Sequence, residues 1–351
     1  MSAKTEISWT DSTWSPIVGC TRKSAGCENC YSERFMARFS GIKGHKFEGL
    51  SKFAPDGPRW TGAMRLVEKD LDIPIRWKKP RKVFVCSISD LFHEKVPDVW
   101  IDKVFAVMAL AHWQTYQVLT KRPERMLDYF QGDPYDRILR QADHWRHTAV
   151  MSRAEKRIGI HAVSDPNRIP WRNVWLGVSV EDQATADERI PLLLQIPAAV
   201  RWVSYEPALG PVDFRPWLWP KCRRCDGSMS IPVSGGGSPC PACLKHQGVE
   251  RGIDWAVCGG ESGPGARPFD LAWARSVRDQ CRAAGVSYFL KQVGAYPVTS
   301  RCDAHEKWLP LGAKAAPLTD DEFGSRRLIL KSRKGNDMAE WPAELFVREL
   351  P

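Results

Sequence analysis

Seven short apolar, β-rich runs alternate along the chain with stretches of helical spacing, and this alternation limits the fold more than any other feature of the sequence. The runs cover 15–19, 83–87, 116–120, 174–178, 201–205, 255–258 and 288–290, and each closes on polar residues or glycine. After Asp98, read as an N-cap, Trp100, Val104, Val107, Met108 and Ala111 recur on one helical face. Trp273, Val277 and Cys281 do the same after Asp270. Parallel strands need a long crossover, usually a helix, so strict alternation predicts a parallel sheet. Seven such units are closer to an incomplete (β/α) TIM-like barrel than to a six-stranded doubly wound sheet. The expected fold is therefore α/β, with residues 1–351 forming one partial barrel. Segments 38–81 and 128–172 are long, basic and rich in Gly, Pro, His and Trp, and they read as excursions on that barrel.

In barrels of this kind chemistry collects where strands end, at the carboxyl face. Here the strand ends carry Ser87, Ser89 and Asp90; Thr120, Lys121 and Arg122; Ser179 and Glu181; Glu206; Gly259, Gly260, Glu261 and Ser262; and Lys291 and Gln292. Loops are polar in any protein, so each residue alone has an ordinary explanation. Six consecutive strand ends of this kind are harder to dismiss. Glu181 and Glu206 end neighbouring strands and suit acid–base work or a grip on ribose hydroxyls and amines, with bonding to strand-end amides as the structural alternative. Lys121 and Arg122 suit a carboxylate or phosphate, or simply solvent. Glu206 and Lys291 are the candidates for catalysis. Cys86 and Cys258 lie inside apolar runs, where a thiol behaves as a small hydrophobe. The sequence holds no P-loop, no phosphate-binding glycine fingerprint after the first strand and no nucleophile elbow.

No apolar run reaches the ~18 residues of a membrane span, and the polar start lacks the apolar stretch of a signal peptide. A cytoplasmic location is expected, and there eleven cysteines argue for metal or redox chemistry rather than disulfides. Seven of them fall in two tight groups, while Cys86, Cys258, Cys281 and Cys302 stand alone. A formal charge of +10 and sixteen tryptophans point toward a polyanion with stackable bases, although most tryptophans pack a core.

The first group, Cys20, Cys27 and Cys30, has the spacing C-x6-C-x2-C immediately after the first run. Structural zinc normally takes four protein ligands. A four-iron, four-sulfur cluster held by three thiolates leaves one iron open for a ligand such as the amino and carboxylate groups of S-adenosylmethionine (SAM). A zinc site completed by a distant His93, His112 or His161 is the alternative, and spacing alone leaves both open. The second group, Cys222, Cys225, Cys240 and Cys243, has the spacing C-x2-C-x14-C-x2-C around a Gly- and Ser-rich hairpin, which predicts a zinc ribbon inserted over 218–250. A second iron–sulfur cluster is the alternative. Lys221, Arg223, Arg224, Lys245 and His246 give this insert a basic rim, suited to phosphates or to solvent.

Several long blocks carry a resemblance. They are TxIxWTDxTWSPIVGC…GCENCYSERF at 5–35, LDIPIRWKKPRKVFVCSISDLFHEKVP at 71–97 and YQVLTKRPERM at 116–126. They continue with NVWLGVSVEDQATADERIPLLL at 173–194, VRWVSYEPALGPVDF at 200–214 and WAVCGGESGPGARPFDLAWARSVRDQCRAAGVSYFLKQVG at 255–294. On these blocks the chain resembles a phage-associated three-cysteine radical-SAM-like family, sometimes encoded beside a three-Cys-motif partner protein. The resemblance implies a 4Fe-4S cluster on Cys20, Cys27 and Cys30, with SAM across the carboxyl face of an incomplete barrel. It places Ser87, Ser89 and Asp90 where the SAM amino group is usually received, with Thr120, Lys121, Ser179 and Glu181 on the following strand ends. Gly259, Gly260 and Glu261 resemble the glycine–glycine–acid form of that element, displaced to the sixth strand. The usual loop is C-x3-C-x2-C with an aromatic residue before the third cysteine; here the first gap is six, that position is Asn29, and Tyr31 follows instead.

The expected activity is reductive cleavage of SAM followed by hydrogen abstraction from a substrate, with a modified nucleobase in phage DNA or a nucleotide as the leading substrate. A flavodoxin-type protein is the expected electron donor, and the host cytoplasm the location of a phage-encoded chain. The alternatives are a nucleic-acid-binding protein with structural metal sites only, and a radical-SAM lyase acting on a DNA photolesion.

Overall fold

A computed structural model of the chain describes residues 5–55, 57–146, 171–218, 230–233, 236–239, 252–299, 314–317 and 326–351. The first part runs β1 (Ser12–Trp14), β2 (Ile17–Val18), α1 (Tyr31–Ala37), β3 (Ser51–Ala54), β4 (Gly57–Trp60), β5 (Arg65–Leu66), α2 (Ile73–Arg76) and β6 (Lys82–Val85). Then come α3 (Asp98–Leu110), β7 (Thr115–Thr120), α4 (Pro123–Gln131), α5 (Tyr135–Arg146), β8 (Val174–Val180), α6 (Gln183–Leu194) and β9 (Val200–Tyr205). The rest is β10 (Ser230–Val233), β11 (Gly236–Pro239), β12 (Trp255–Gly259), β13 (Phe269–Asp270), α7 (Leu271–Ala284), β14 (Ser287–Gln292), β15 (Pro297–Thr299), β16 (Lys314–Pro317) and β17 (Arg326–Ile329). Seven strands form one sheet in the order β1-β6-β7-β8-β9-β12-β14, and the strand pairs β1/β6, β6/β7, β7/β8, β9/β12 and β12/β14 are parallel. The chain divides into two compact units: residues Met1–Val178 with Ile196–Val200, and Ser179–Gln195 with Arg201–Pro351.

In the first unit the sheet begins a few residues earlier than the apolar run at 15–19 suggests. Pro16 has no N–H to give a ladder, and Ile17–Val18 turn away to pair antiparallel with β5. Ser12–Trp14 make the parallel edge instead, in register with Val83–Val85. That edge is fastened by Lys82 N donating to the Asp11 carboxylate (2.7 Å) and Thr10 Oγ1 donating to Lys82 O (3.0 Å). Trp14 is buried, and its indole N–H donates to Asp70 O at 2.8 Å. Helix α3 covers the sheet with Ile101, Val104, Phe105 and Met108, whereas Trp100 is half-buried. Asp98 is the first helical residue rather than the cap, which is Pro97. Its carboxylate binds Arg125 and Arg137. Buried Asp102 accepts from Tyr129 OH (2.7 Å) and Arg137 Nε (3.1 Å), tying α3 to α4 and α5.

The segment 38–81 is built rather than loose. β3 and β4 form a hairpin, and Val18, Met36, Phe47, Leu50 and Val67 share a small core under α1.

In the second unit β12 lies between β9 and β14, with Trp255 opposite Trp202 and Ser287. Helix α6 opens with a reciprocal cap in which Thr185 N donates to Asp182 Oδ1 at 2.9 Å and Asp182 N donates to Thr185 Oγ1 at 3.1 Å. Helix α7 is capped by Asp270, which accepts from Ala272 N at 2.8 Å, and buries Leu271, Ala274, Val277 and Cys281. β10 and β11 pair antiparallel between the two cysteine pairs of the second group. Cys222, Cys225, Cys240 and Cys243 themselves, like the basic rim, lie outside the described residues. No helix among the described residues is long and apolar enough to cross a membrane.

Candidate functional site

The cysteine loop leaves β2 through Gly19, whose φ of +100° and position forbid a side chain: a Cβ there would lie 2.1 Å from Ala63 O. Gly19 also bridges to Ser89, whose hydroxyl donates to Ile17 O at 2.6 Å, so the loop starts against the end of β6. Cys20 follows at once, Cys27 ends a 3-10 turn (Ala25–Cys27), and Cys30 immediately precedes α1. All three thiols are unbridged and half-buried. Cys20 Sγ donates to Thr21 O at 3.3 Å, and Lys23 N donates to Cys27 Sγ at 3.5 Å.

Burial pushes the Cys20 thiol well above its ordinary range, Asp90 adds to this, Arg122 opposes it, and Cys30 and Cys27 raise it further. Cys30 is raised by burial and by Cys27, against the backbone N–H of Glu33. The three sulfurs are therefore within electrostatic reach of one another. As they stand, no three His, Cys, Asp or Glu side chains among the described residues converge on a metal position. In type and number the donors suit a soft metal centre. Loading would release the thiol protons and with them the Cys20 Sγ–H bond to Thr21 O, while the Lys23 N–H could go on donating to a Cys27 thiolate.

Beside the loop lies a buried arginine that joins three segments: the cysteine loop, residues 90–94 and its own strand end. Arg122, at the end of β7, is 3% exposed. Its Nη1 donates to Asp90 Oδ2 (3.1 Å), its Nε to both oxygens of Glu94 (2.8 and 2.9 Å), and its Nη2 to Thr21 O (3.2 Å) and Thr21 Oγ1 (2.8 Å). Asp90 is satisfied within the protein, accepting from Thr120 Oγ1 (2.7 Å) and Phe92 N (3.0 Å) on one oxygen and from Lys121 N (3.1 Å) and Arg122 on the other. It holds the arginine, and the arginine holds the cysteine loop. The guanidinium stays charged: burial opposes that most strongly of any single cause, and Asp90, Cys20 and Glu94 together outweigh it. His93 Nδ1 accepts from Lys95 N at 3.1 Å, so the ring proton sits on Nε2 and faces Thr21 Oγ1 at 2.8 Å. Burial and Arg122 hold His93 below its ordinary range, which keeps it neutral. Of the three distant histidines, His93 reaches the cysteine loop, His112 packs against Trp113, and His161 lies outside the described residues.

Ser87 takes part through its carbonyl, which accepts from Tyr31 OH and from Ser32 Oγ (3.5 Å).

In the second unit Lys291 Nζ donates to Glu206 Oε1 at 2.5 Å, with Gln292 Nε2 at 3.5 Å from the same oxygen. Both members of the pair are partly exposed, at 22% and 17% of their side-chain surface, so the pair is available to a ligand. Glu181 is buried, and its carboxylate meets Arg189 Nη1 at 3.2 Å, while the same nitrogen donates to Ser179 O at 2.7 Å. That ion pair braces the end of β8. Gly260 serves close packing: a Cβ there would lie 2.8 Å from both Phe269 Cβ and Val293 O, whereas one at Gly259 would come no nearer than 3.4 Å to Gln292 O. The Glu261 carboxylate is wrapped by Arg267, whose N and Nε donate to Oε2 at 2.9 and 3.1 Å and whose Nη2 reaches Oε1 at 2.5 Å. Its charge is already balanced.

The sequence reading places Arg122 at a strand end but gives no sign of its burial, because Asp90 and Glu94 lie 32 and 28 residues away. Thr21 and Glu94 go unnoticed for the same reason, whereas Arg189 and Arg267 lie only eight and six residues from Glu181 and Glu261, and nothing in the local pattern marks either pairing. Among known proteins, the sequence model of a family described as "Protein of unknown function (DUF5131)" matches residues 4–337. No curated protein and no solved structure matches the chain.

Proposed function

The chain belongs to the DUF5131 family, and from its site we infer that it is an iron–sulfur enzyme of the radical-SAM type, built on an incomplete (β/α) barrel, whose substrate is a nucleobase in DNA or a nucleotide. The observation that carries this reading is the cysteine loop: three unbridged, half-buried thiols within eleven residues after the first strands, with a buried arginine hydrogen-bonded to that loop. In this reading Cys20, Cys27 and Cys30 hold the cluster. Three protein ligands leave one iron for SAM. The bound cluster and SAM supply a reducing electron and hydrogen-atom abstraction. Arg122, held by Asp90 and Glu94, fixes the loop through Thr21 and places positive charge beside the thiolates, which favours their ionised form. Ser87, Ser89, Thr120 and Lys121 lie on the same strand ends. Glu206 and Lys291 are a poised donor–acceptor pair suited to binding a polar substrate group or moving a proton. Cys222, Cys225, Cys240 and Cys243 bind zinc as an accessory element in this reading, and a flavodoxin-type protein supplies electrons.

A second reading has one observation in its favour: His93 is hydrogen-bonded to Thr21, the residue after Cys20, so the fold ties a histidine to the cysteine loop. It makes the chain a nucleic-acid-binding protein with structural metal only.

Anaerobic purification with iron, sulfide and zinc analysis separates the two, together with an assay for 5′-deoxyadenosine from SAM under dithionite. The enzyme reading expects about four irons per chain and SAM cleavage that Cys27→Ala abolishes. Colourless protein holding zinc alone, with no cleavage, would overturn it.

A further inference from the structure

We propose that the exposed side of α1 and the β3–β4 hairpin bind single-stranded nucleic acid, laying it against the surface from which the cysteine loop emerges. Helix α1 buries Ser32, Glu33 and Met36 against the hairpin and the small core beneath it. Its other side carries Tyr31 and Phe35, one turn apart, 58% and 39% exposed. Both rings are held in place. Tyr31 OH donates to Ser87 O, and Phe35 packs on Phe39 and Phe47 at centroid distances of 5.2 and 6.0 Å. On the hairpin Phe53 is 76% exposed. Single exposed apolar residues are ordinary. Three aromatic rings, two of them fixed, on packed neighbouring elements form a stacking platform.

The charge on the same elements supplies the other half of such a site. Arg38 follows α1 and is exposed, and Lys52 is exposed on β3; neither has a carboxylate partner among the described residues. Lys52 stands directly opposite Arg59 in the hairpin register. Alternating ring faces and cations match a strand whose bases are free to stack and whose backbone carries one charge per nucleotide. A duplex hides its base faces and offers only the charge. Tyr31 is adjacent to Cys30, so a strand bound here passes the cysteine loop.

The proposal rests on the nucleobase reading above for the class of substrate. It is tested without SAM or reductant, so its failure and the failure of SAM cleavage are separate results. The full chain is titrated into a fluorescein-labelled 20-nucleotide oligothymidylate and followed by anisotropy at several salt concentrations. A duplex of equal length and phosphatidylserine vesicles are run in parallel. The expected result is preference for the single strand, with Phe35→Ala and Phe53→Ala each weakening it by about five- to a hundredfold. Arg38→Glu and Lys52→Glu should each lower the slope of log K against log salt by about 0.7 or more. For Phe53→Ala, Arg38→Glu and Lys52→Glu, whose side chains are exposed, iron content and the thermal midpoint should stay at wild-type values, whereas Phe35→Ala also gives up its packing on Phe39 and Phe47 and is compared at a temperature well below its own midpoint. No binding to the oligonucleotide, equal binding to the duplex, preference for the vesicles, or variants that bind like wild type would each overturn the proposal.

Discussion

Cys86, Cys258 and Cys281 differ from the half-buried loop cysteines in being fully enclosed by the core. Burial pushes Cys86 and Cys281 up to about 12 from an ordinary value of about 9, and it raises Cys258 further still. Between those values the unfolded chain has lost protons that the folded chain keeps. Stability is therefore fully present below pH 9 and falls as pH rises, by about 1.4 kcal/mol per pH unit for each such thiol. Urea midpoints taken at pH 8, 9.5 and 10.5 should decline progressively, and brief alkylation of the native protein followed by mass spectrometry should spare these three positions. A midpoint that is flat up to pH 10.5, or rapid labelling of Cys258, would contradict the packing described here.

At the scale of elements, the loop depends on Gly19 more than on any of its polar residues. An added methyl group meets a backbone carbonyl and a disallowed φ together, so Gly19→Ala should cost roughly 2–4 kcal/mol and prevent metal uptake, as read by urea denaturation and iron analysis. An unchanged midpoint would mean that the loop enters by another route. The elements also show what a sequence can and cannot disclose. Six of the seven sheet strands are visible as apolar runs because each is buried on the sheet and bounded by polar ends. The first is displaced because Ser12, Thr13 and Trp14 do not read as apolar, while Ile17 and Val18 do and belong to a side ladder. Asp270 reads correctly as a cap, because the Asp-then-helix signal is local. Asp98 does not, because Pro97 takes the capping position and leaves its carboxylate to Arg125 and Arg137. The three cysteines and the Glu206–Lys291 candidates were legible from position along the chain. The arginines that brace the site were not, since whether a guanidinium is buried depends on carboxylates that only the folded sheet brings near.

For the whole molecule, the reading as a SAM enzyme has a consequence that needs no substrate. A ligand that binds only the folded, cluster-loaded protein stabilises it by about 2.7 kcal/mol at a hundred times its dissociation constant. For a chain of 351 residues this corresponds to a rise of about 3–4 °C in the thermal midpoint. SAM should give that shift with anaerobically loaded protein and none with Cys27→Ala; an identical shift in both would mean that SAM binds without the cluster.

The tether between Arg122 and Thr21 spans 101 residues of sequence. During synthesis the three loop thiols leave the ribosome long before the arginine that will hold them, and at ribosomal rates the gap lasts about 5–20 s. Through that interval they ride on an unfastened segment, open to oxidants, to stray metals and to each other. The moment at which the loop is most easily spoiled thus falls before the chain has finished being made, so the oxygen tension during expression, rather than during handling, should govern how much of the protein can be loaded.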